Sequence, residues 1–214
     1  MNVIIDYGRG NLKSVLNAFD RVGIEATVSN DINKIKDAKS LIIPGVGAFA
    51  AAMEALNSMG LTEVIKKESR KGKNIIGICL GMQLLYQRGY EFGETQGIGL
   101  IEGDIKFMDI PFKVPHMGWN NLKFNKPNEP ILKYINEDDY VYFVHSYYAS
   151  SDNSELVAYS EYGVNVPAIV RKDNVYGIQF HPEKSGDVGE KILKAYKEII
   201  MSWRLESLYF LQLI

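Results

Sequence analysis

The chain holds one cysteine and three histidines, so its means of covalent or acid–base chemistry are few. Cys79 stands in Gly77-Ile78-Cys79-Leu80-Gly81, with a glycine two residues away on either side. That is the spacing of the G-x-S-x-G elbow, in which a nucleophile occupies a strained turn from strand to helix. Glycine suits such a turn because a Cβ would collide where the backbone crowds itself. A thiol at a helix N-terminus faces unpaired N–H groups and the positive end of the dipole, which favour the nucleophilic thiolate. The same N–H groups can hold the oxyanion formed when sulfur attacks a carbonyl. A small buried hydrophobe is the ordinary alternative for a lone cysteine.

A cysteine nucleophile needs a base. Of His116, His145 and His181, the last lies in Tyr-Gly-Ile-Gln-Phe-His-Pro-Glu-Lys-Ser, residues 176–185. Alternation along an extended segment predicts that His181 and Glu183 share one side, and Pro182 disfavours helical geometry at its predecessor. The Glu183 carboxylate would then accept the second imidazole N–H and fix tautomer and orientation, as in acyl-transfer triads. A solvated turn is the ordinary reading of His-Pro-Glu by itself. The histidines and Cys79 are scattered without zinc-type spacing, so no metal is expected. Asp6-Tyr7-Gly8-Arg9-Gly10-Asn11 is placed like a dinucleotide-binding turn but lacks its third glycine.

The elements that must position these groups alternate in the first half. Asn2–Tyr7, Ile24–Val28, Ser40–Pro44 and Asn74–Ile78 read as strands. Between them Leu12, Val15, Leu16, Phe19 and Val22 recur at helical spacing ahead of Gly23, a C-terminal stop. Phe49, Met53, Leu56 and Met59 form a second stripe, a helix through Val64 and Ile65 leads to Gly72, and a helix begins at Met82–Gln87. Such alternation predicts parallel strands joined by right-handed crossovers, with helices on both faces. From about residue 97 the pattern becomes short strands (residues 103–108, 140–150, 155–162, 166–172 and 175–180), read as hairpins and antiparallel additions at one side of the sheet. Val188, Ile192, Leu193, Tyr196, Ile199, Ile200 and Trp203 form a last helix, with Asp187 and Glu190 as a capping-box-like start.

With 214 residues, 46% of them hydrophobic, the chain suffices for one domain with a proper core. Residues 1–200 are read as that domain, and 201–214 as a helical extension or tail of unexplained role. A balance of 24 basic against 26 acidic residues gives no footprint for nucleic acid or an anionic membrane. A lone cysteine, no signal-peptide pattern and no apolar run of spanning length predict a reducing, cytoplasmic setting.

Residues 77–85 (Gly-Ile-Cys-Leu-Gly-Met-Gln-Leu-Leu) with Gly177–Ser185 resemble the class I, or triad, glutamine amidotransferases. Residues 5–11 (Ile-Asp-Tyr-Gly-Arg-Gly-Asn), 44–49 (Pro-Gly-Val-Gly-Ala-Phe), 115–120 (Pro-His-Met-Gly-Trp-Asn) and 142–148 (Tyr-Phe-Val-His-Ser-Tyr-Tyr) resemble the glutaminase-subunit family of imidazole glycerol phosphate synthases. The matches fall in the family's order over residues 2 to about 200. The resemblance implies an α/β, flavodoxin-like doubly wound sheet, mainly parallel, with antiparallel additions from the C-terminal half.

It further implies Cys79 as nucleophile, His181 as general acid and base, Glu183 as its orienting partner, and no cofactor. The oxyanion donors would be the backbone of Leu80 and of Val46 and Gly47. Gly45, Gln83, Glu91, His145, Ser146 and Tyr147 would hold glutamine. Asn11, His116, Trp119 and Lys184 would lie at the docking face and ammonia gate toward a barrel-fold cyclase, the partner in a heterodimer. Core filling is the ordinary alternative for Trp119, and strand packing for His145 and Tyr147. A cysteine peptidase, a catalytically idle regulatory subunit, and a paralogous glutaminase serving another acceptor, such as a sugar-amidating enzyme, remain the competing readings.

Overall fold

The structure is a computed structural model that describes residues 1–150 and 154–211, with side chains as far as Ser202. The first half alternates as β1 (Asn2–Ile5), α1 (Leu12–Arg21), β2 (Ala26–Ser29), α2 (Ile32–Asp37), β3 (Ser40–Ile43), α3 (Phe49–Ser58), α4 (Leu61–Arg70), β4 (Asn74–Ile78) and α5 (Leu80–Leu84). The second half contributes β5 (Arg88–Gly89), β6 (Thr95–Gln96), β7 (Asp104–Phe107), β8 (His116–Asn121), β9 (Lys123–Phe124), β10 (Tyr140–His145), β11 (Tyr147–Ser150), β12 (Leu156–Glu161), β13 (Asn165–Lys172), β14 (Val175–Ile178) and α6 (Gly186–Leu211).

One central sheet runs in the order β2-β1-β3-β4-β14-β13-β12-β9. From β2 to β14 neighbouring strands are parallel, and from β13 outward they are antiparallel. This is the flavodoxin-like α/β architecture. Strands such as β3 and β4 are apolar on both faces because helices cover both, as parallel sheets require. Alternate residues feed two cores: Val3, Ile5, Leu41, Ile43 and Ile75 pack with α3 and α4, while Ile4, Ile42, Ile76 and Ile78 pack with α1 and α6. Asn11 caps α1 by accepting from the Ser14 N–H, and Gly23, at φ 72°, follows the helix end in a conformation that costs glycine little.

The second half departs from the expectation in specific ways. Val175–Ile178 forms the expected antiparallel hairpin with β13, but its other side lies parallel to β4, register Ile178 to Ile78, so the strand is buried at the sheet's centre and not at one side. Residues 140–150 split at Ser146 between two small sheets, β10 with β8 and β11 with β7, β5 and β6, so they do not extend the central sheet. The helix after Cys79 begins at Leu80 and ends at Leu84, short of Tyr86 and Gln87. Met59 lies beyond α3 and is exposed. No capping box forms at Asp187 and Glu190: α6 already begins at Gly186, and the Glu190 carboxylate instead accepts from Arg21 Nε at 2.7 Å. The α6 helix continues through Leu211; the Trp203 side chain and residues 212–214 lie outside what is described.

Candidate active site

The parallel pairing of β4 with β14 decides the site. Both strands end at the same edge, so the residues that follow them, Cys79 and His181, are brought side by side from positions far apart in the chain. Open α/β sheets place their sites at such carboxyl ends. Cys79 N–H donates to Ile178 O at 2.7 Å, tying the two strand ends together.

Cys79 adopts φ 55°, ψ −114°, a backbone conformation that a non-glycine residue rarely holds, at the junction of β4 and α5. The flanking glycines have steric reasons. A Cβ on Gly77 would lie 2.5 Å from Gly81 O, and one on Gly81 only 1.7 Å from Ile43 O. The thiol is largely buried, with Val144 O and Gln179 Nε2 each 3.9 Å from its sulfur. Leu80 opens the helix, so its N–H has no intrahelical acceptor and is free for an oxyanion.

His181 Nδ1 and Glu183 Oε1 are 2.7 Å apart, both side chains buried. The contact arises differently from the strand alternation expected: His181 is extended, at φ −99° and ψ 96°, but Pro182–Lys184 form a 3-10 turn that swings the carboxylate back onto the ring. With Nδ1 committed to Glu183, Nε2 is the ring nitrogen left to act on the Cys79 sulfur across the cleft that both residues line. Burial, the largest single effect, lowers the imidazole's pKa, but hydrogen bonds and charge interactions with Cys79 and Glu183 together outweigh it and lift it to about 10. The imidazolium is thereby favoured.

A cleft of about 350 Å³ opens over the sulfur, lined by Val46, Gly47, Cys79, Leu80, Gln83, Glu91, His145, Ser146, Tyr147, His181 and Lys184. Gly45 does not reach it. This glycine is packed under α5, where a Cβ would lie 2.6 Å from the Tyr7 hydroxyl, and it borders a smaller hollow with Asn11, Glu183 and Lys184. Gln83 Nε2 donates to Tyr147 O at 2.9 Å and to Gln179 Oε1 at 3.0 Å. Both amide hydrogens are used, leaving Oε1 as an acceptor. Glu91 Oε2 accepts from Phe49 N–H at 2.7 Å.

Of the residues expected at a docking face, Trp119 is 55% exposed, which excludes core filling, and Lys184 is exposed with its ammonium 5.9 Å from the Tyr142 ring. His116 is not a surface residue: it is buried against His145. Two site residues escaped the sequence. Gln179, fully buried, bridges Gln83 and Cys79; a lone amide inside an apolar run was its signal. Tyr7 donates to Pro44 O at 2.6 Å, anchoring the segment that leads to Val46.

A strand-to-helix cysteine, a histidine–glutamate pair and the N-terminus of a helix meet at one edge of a flavodoxin-like sheet, and the family model for class-I glutamine amidotransferases matches residues 3–197. The chain belongs to that family. Among its relatives, the imidazole glycerol phosphate synthase subunit HisH of Lactococcus lactis subsp. lactis is 51% identical over 199 residues, 92% of this chain and 98% of the relative. The subunit of the same name from Caldanaerobacter subterraneus subsp. tengcongensis is 48% identical, covering 92% and 97%. Among solved structures, PurLQS from Thermotoga maritima shares the fold, with a TM-score of 0.72 at 20% identity over 94% of this chain and 97% of that one.

Proposed function

We propose that the chain is the glutaminase subunit of an imidazole glycerol phosphate synthase, acting in histidine biosynthesis. The carrying observation is the Cys79–His181–Glu183 arrangement, its sulfur and imidazole lining one cleft, in a chain about half identical to subunits of that name. Cys79 attacks the side-chain amide of glutamine. Leu80 N–H, with the backbone of Val46 and Gly47, holds the oxyanion; one such donor contributes about 10²–10³ in rate. His181, kept as the imidazolium, gives its proton to the departing ammonia and then, as base, draws one from the water that opens the thioester to glutamate. Glu183 holds the ring. Gln83 Oε1 and the uncommitted oxygen of Glu91 supply acceptors for the substrate's ammonium group, beside His145, Ser146 and Tyr147. Gly45 acts from beneath, as a hinge for the segment that carries Val46.

The ammonia goes to a barrel-fold cyclase docked in a heterodimer over Met117, Trp119 and Lys184, all exposed, with Asn11 at the hollow beside Lys184. Residues 1–200 form the catalytic domain, the α6 continuation is an extension to it, and the setting is cytoplasmic. Glutamine hydrolysis, assayed with the cyclase and its ribonucleotide substrate, is expected to rise well above that of the isolated chain. Equal rates with and without that substrate would favour a different acceptor enzyme.

A further inference from the structure

Two buried histidines, His116 and His145, lie in a single hydrogen-bonded file between Asn120 and Tyr147 O, and the proposed chemistry gives His116 no part. His145 Nδ1 lies 2.9 Å from Tyr147 O, and since a carbonyl only accepts, Nδ1 carries the hydrogen. His145 Nε2 is 3.0 Å from His116 Nδ1. His116 Nε2 is 3.3 Å from Asn120 Nδ2, whose amide orientation is set independently because Asn120 Oδ1 accepts from Asn121 N–H at 2.9 Å. Both ends therefore dictate one direction: Asn120 donates to His116 Nε2, His116 Nδ1–H donates to His145 Nε2, and His145 Nδ1–H donates to Tyr147 O. Neither ring can be charged without breaking the file.

The surroundings agree. The His116 ring is stacked between Phe143 and Tyr162, with centroids at 4.6 and 4.1 Å, and is 3% exposed. Burial lowers the pKa of His116 to about 4; for His145, burial first and its two neighbouring histidines next outweigh the Tyr147 bond and lower it to about 3. Tyr147 O also accepts from Gln83 Nε2, so the file terminates on the carbonyl that orients Gln83 in the cleft. It originates on β8, the strand whose other face presents Met117 and Trp119.

We propose that His116 is a positioning residue for glutamine binding: as a neutral, single-tautomer donor it holds His145, and through Tyr147 O the Gln83 amide, in the geometry the substrate requires. This rests on the glutaminase reading. Without the donor, His145 Nε2 becomes a buried acceptor with no partner, the ring turns, and Tyr147 O and Gln83 lose their fixed geometry. Cys79, His181 and Glu183 are untouched, so the effect falls on KM and spares kcat.

The test has two parts. In the complex with the cyclase, His116→Phe keeps the ring stack but removes the donor, and is expected to raise KM for glutamine about tenfold with kcat within about threefold. His116→Asn, whose amide nitrogen can occupy the Nδ1 position, should restore KM to within about threefold of the unmodified chain. An unchanged KM in His116→Phe, or a fall in kcat at constant KM, would overturn the proposal. The second part needs neither activity nor a variant: ¹⁵N spectra of the histidine-labelled chain at neutral pH should show His116 and His145 as neutral Nδ1–H tautomers. An Nε2–H tautomer or an imidazolium at either ring would overturn it even if a variant failed to fold. A chain that shows the expected tautomers but turns over no glutamine would sink the glutaminase reading and leave the hydrogen-bonded file standing.

Discussion

Gly81→Ala tests the elbow through sterics alone. Its Cβ would lie 1.7 Å from Ile43 O and 2.7 Å from Ile43 C, where ordinary contact begins at 3.4 Å, so α5 and β3 would have to separate by well over 1 Å. β3 cannot yield, because it is paired on one side with β1 and on the other with β4. The start of α5 must move instead, carrying the Leu80 N–H and the Cys79 sulfur with it. Overpacking of this kind costs about 1–3 kcal/mol. For a chain of this size that is a fall of roughly 2–12 °C in Tm. A displacement near 1 Å of an aligned catalytic group costs about 10²-fold in rate. Gly60→Ala is the control: its φ of 68° strains an alanine by about 1–2 kcal/mol, but nothing lies within 4 Å of the added methyl and the residue is remote from the cleft. Thermal unfolding by circular dichroism and glutamine turnover with the cyclase should show both variants destabilised and only Gly81→Ala inactive. Turnover in Gly81→Ala within about threefold of the unmodified chain would show that the elbow does not depend on close helix–strand approach.

Glu183→Gln removes the charge 2.7 Å from His181 Nδ1 and is expected to lower kcat about 10²-fold or more with KM little changed; steady-state kinetics at saturating cyclase substrate would expose a smaller effect. His181 also links stability to pH. Its folded pKa, raised to about 10, lies above the ordinary unfolded value of about 6.5, so the stability it contributes is fully present below pH 6.5 and is lost as pH rises through 10. Urea titrations between pH 7 and 10.5 should show that loss in the unmodified chain and less of it in Cys79→Ala, which lacks the sulfur partner; parallel curves would argue against the coupling. Lys73→Met tests the opposite end of the sheet. Lys73 Nζ donates to Ile35 O at 2.9 Å and Lys36 O at 2.6 Å and pairs at 2.8 Å with Glu68, whose side chain is 2% exposed. Stripping that partner should cost about 3–5 kcal/mol in urea unfolding, and a change under about 1 kcal/mol would show that Lys71, which also pairs with Glu68 at 2.6 Å, neutralises the carboxylate alone.

The parallel half of the fold was legible because its signals are local. Apolar runs of strand length, helical stripes and Gly23 each report on a few adjacent residues, and β1 to β4, α1, α3 and α4 form where those signals stand; α2, six residues long with Ile35 its one buried side chain, carries no such stripe and was not expected. Pairing partners are not local, and there the reading went astray. Val175–Ile178 has the same apolar character at the sheet's edge as at its centre, and only the whole topology sets its second side beside β4, in parallel. The split of residues 140–150 between two sheets likewise follows from where β7 and β8 arrive. In the site, Cys79, His181 and Glu183 could be picked out because glycine spacing and His-Pro-Glu are chemical signatures. The contact of His181 with Glu183 was expected, but the 3-10 turn that makes it could not be foreseen from strand alternation. His116 misled for a related reason: on β8 it sits one residue from exposed Met117, and a one-residue step along a strand exchanges the surface for the interior.

The most direct measurement is ammonia release from glutamine by the Cys79→Ala chain in complex with the cyclase and its substrate. No glutamine-dependent product is expected, with synthesis from added ammonium salt retained because the fold and the docking surface are intact. Continued release of ammonia from glutamine would contradict that expectation, since no sulfur would then remain in reach of His181 to form the thioester.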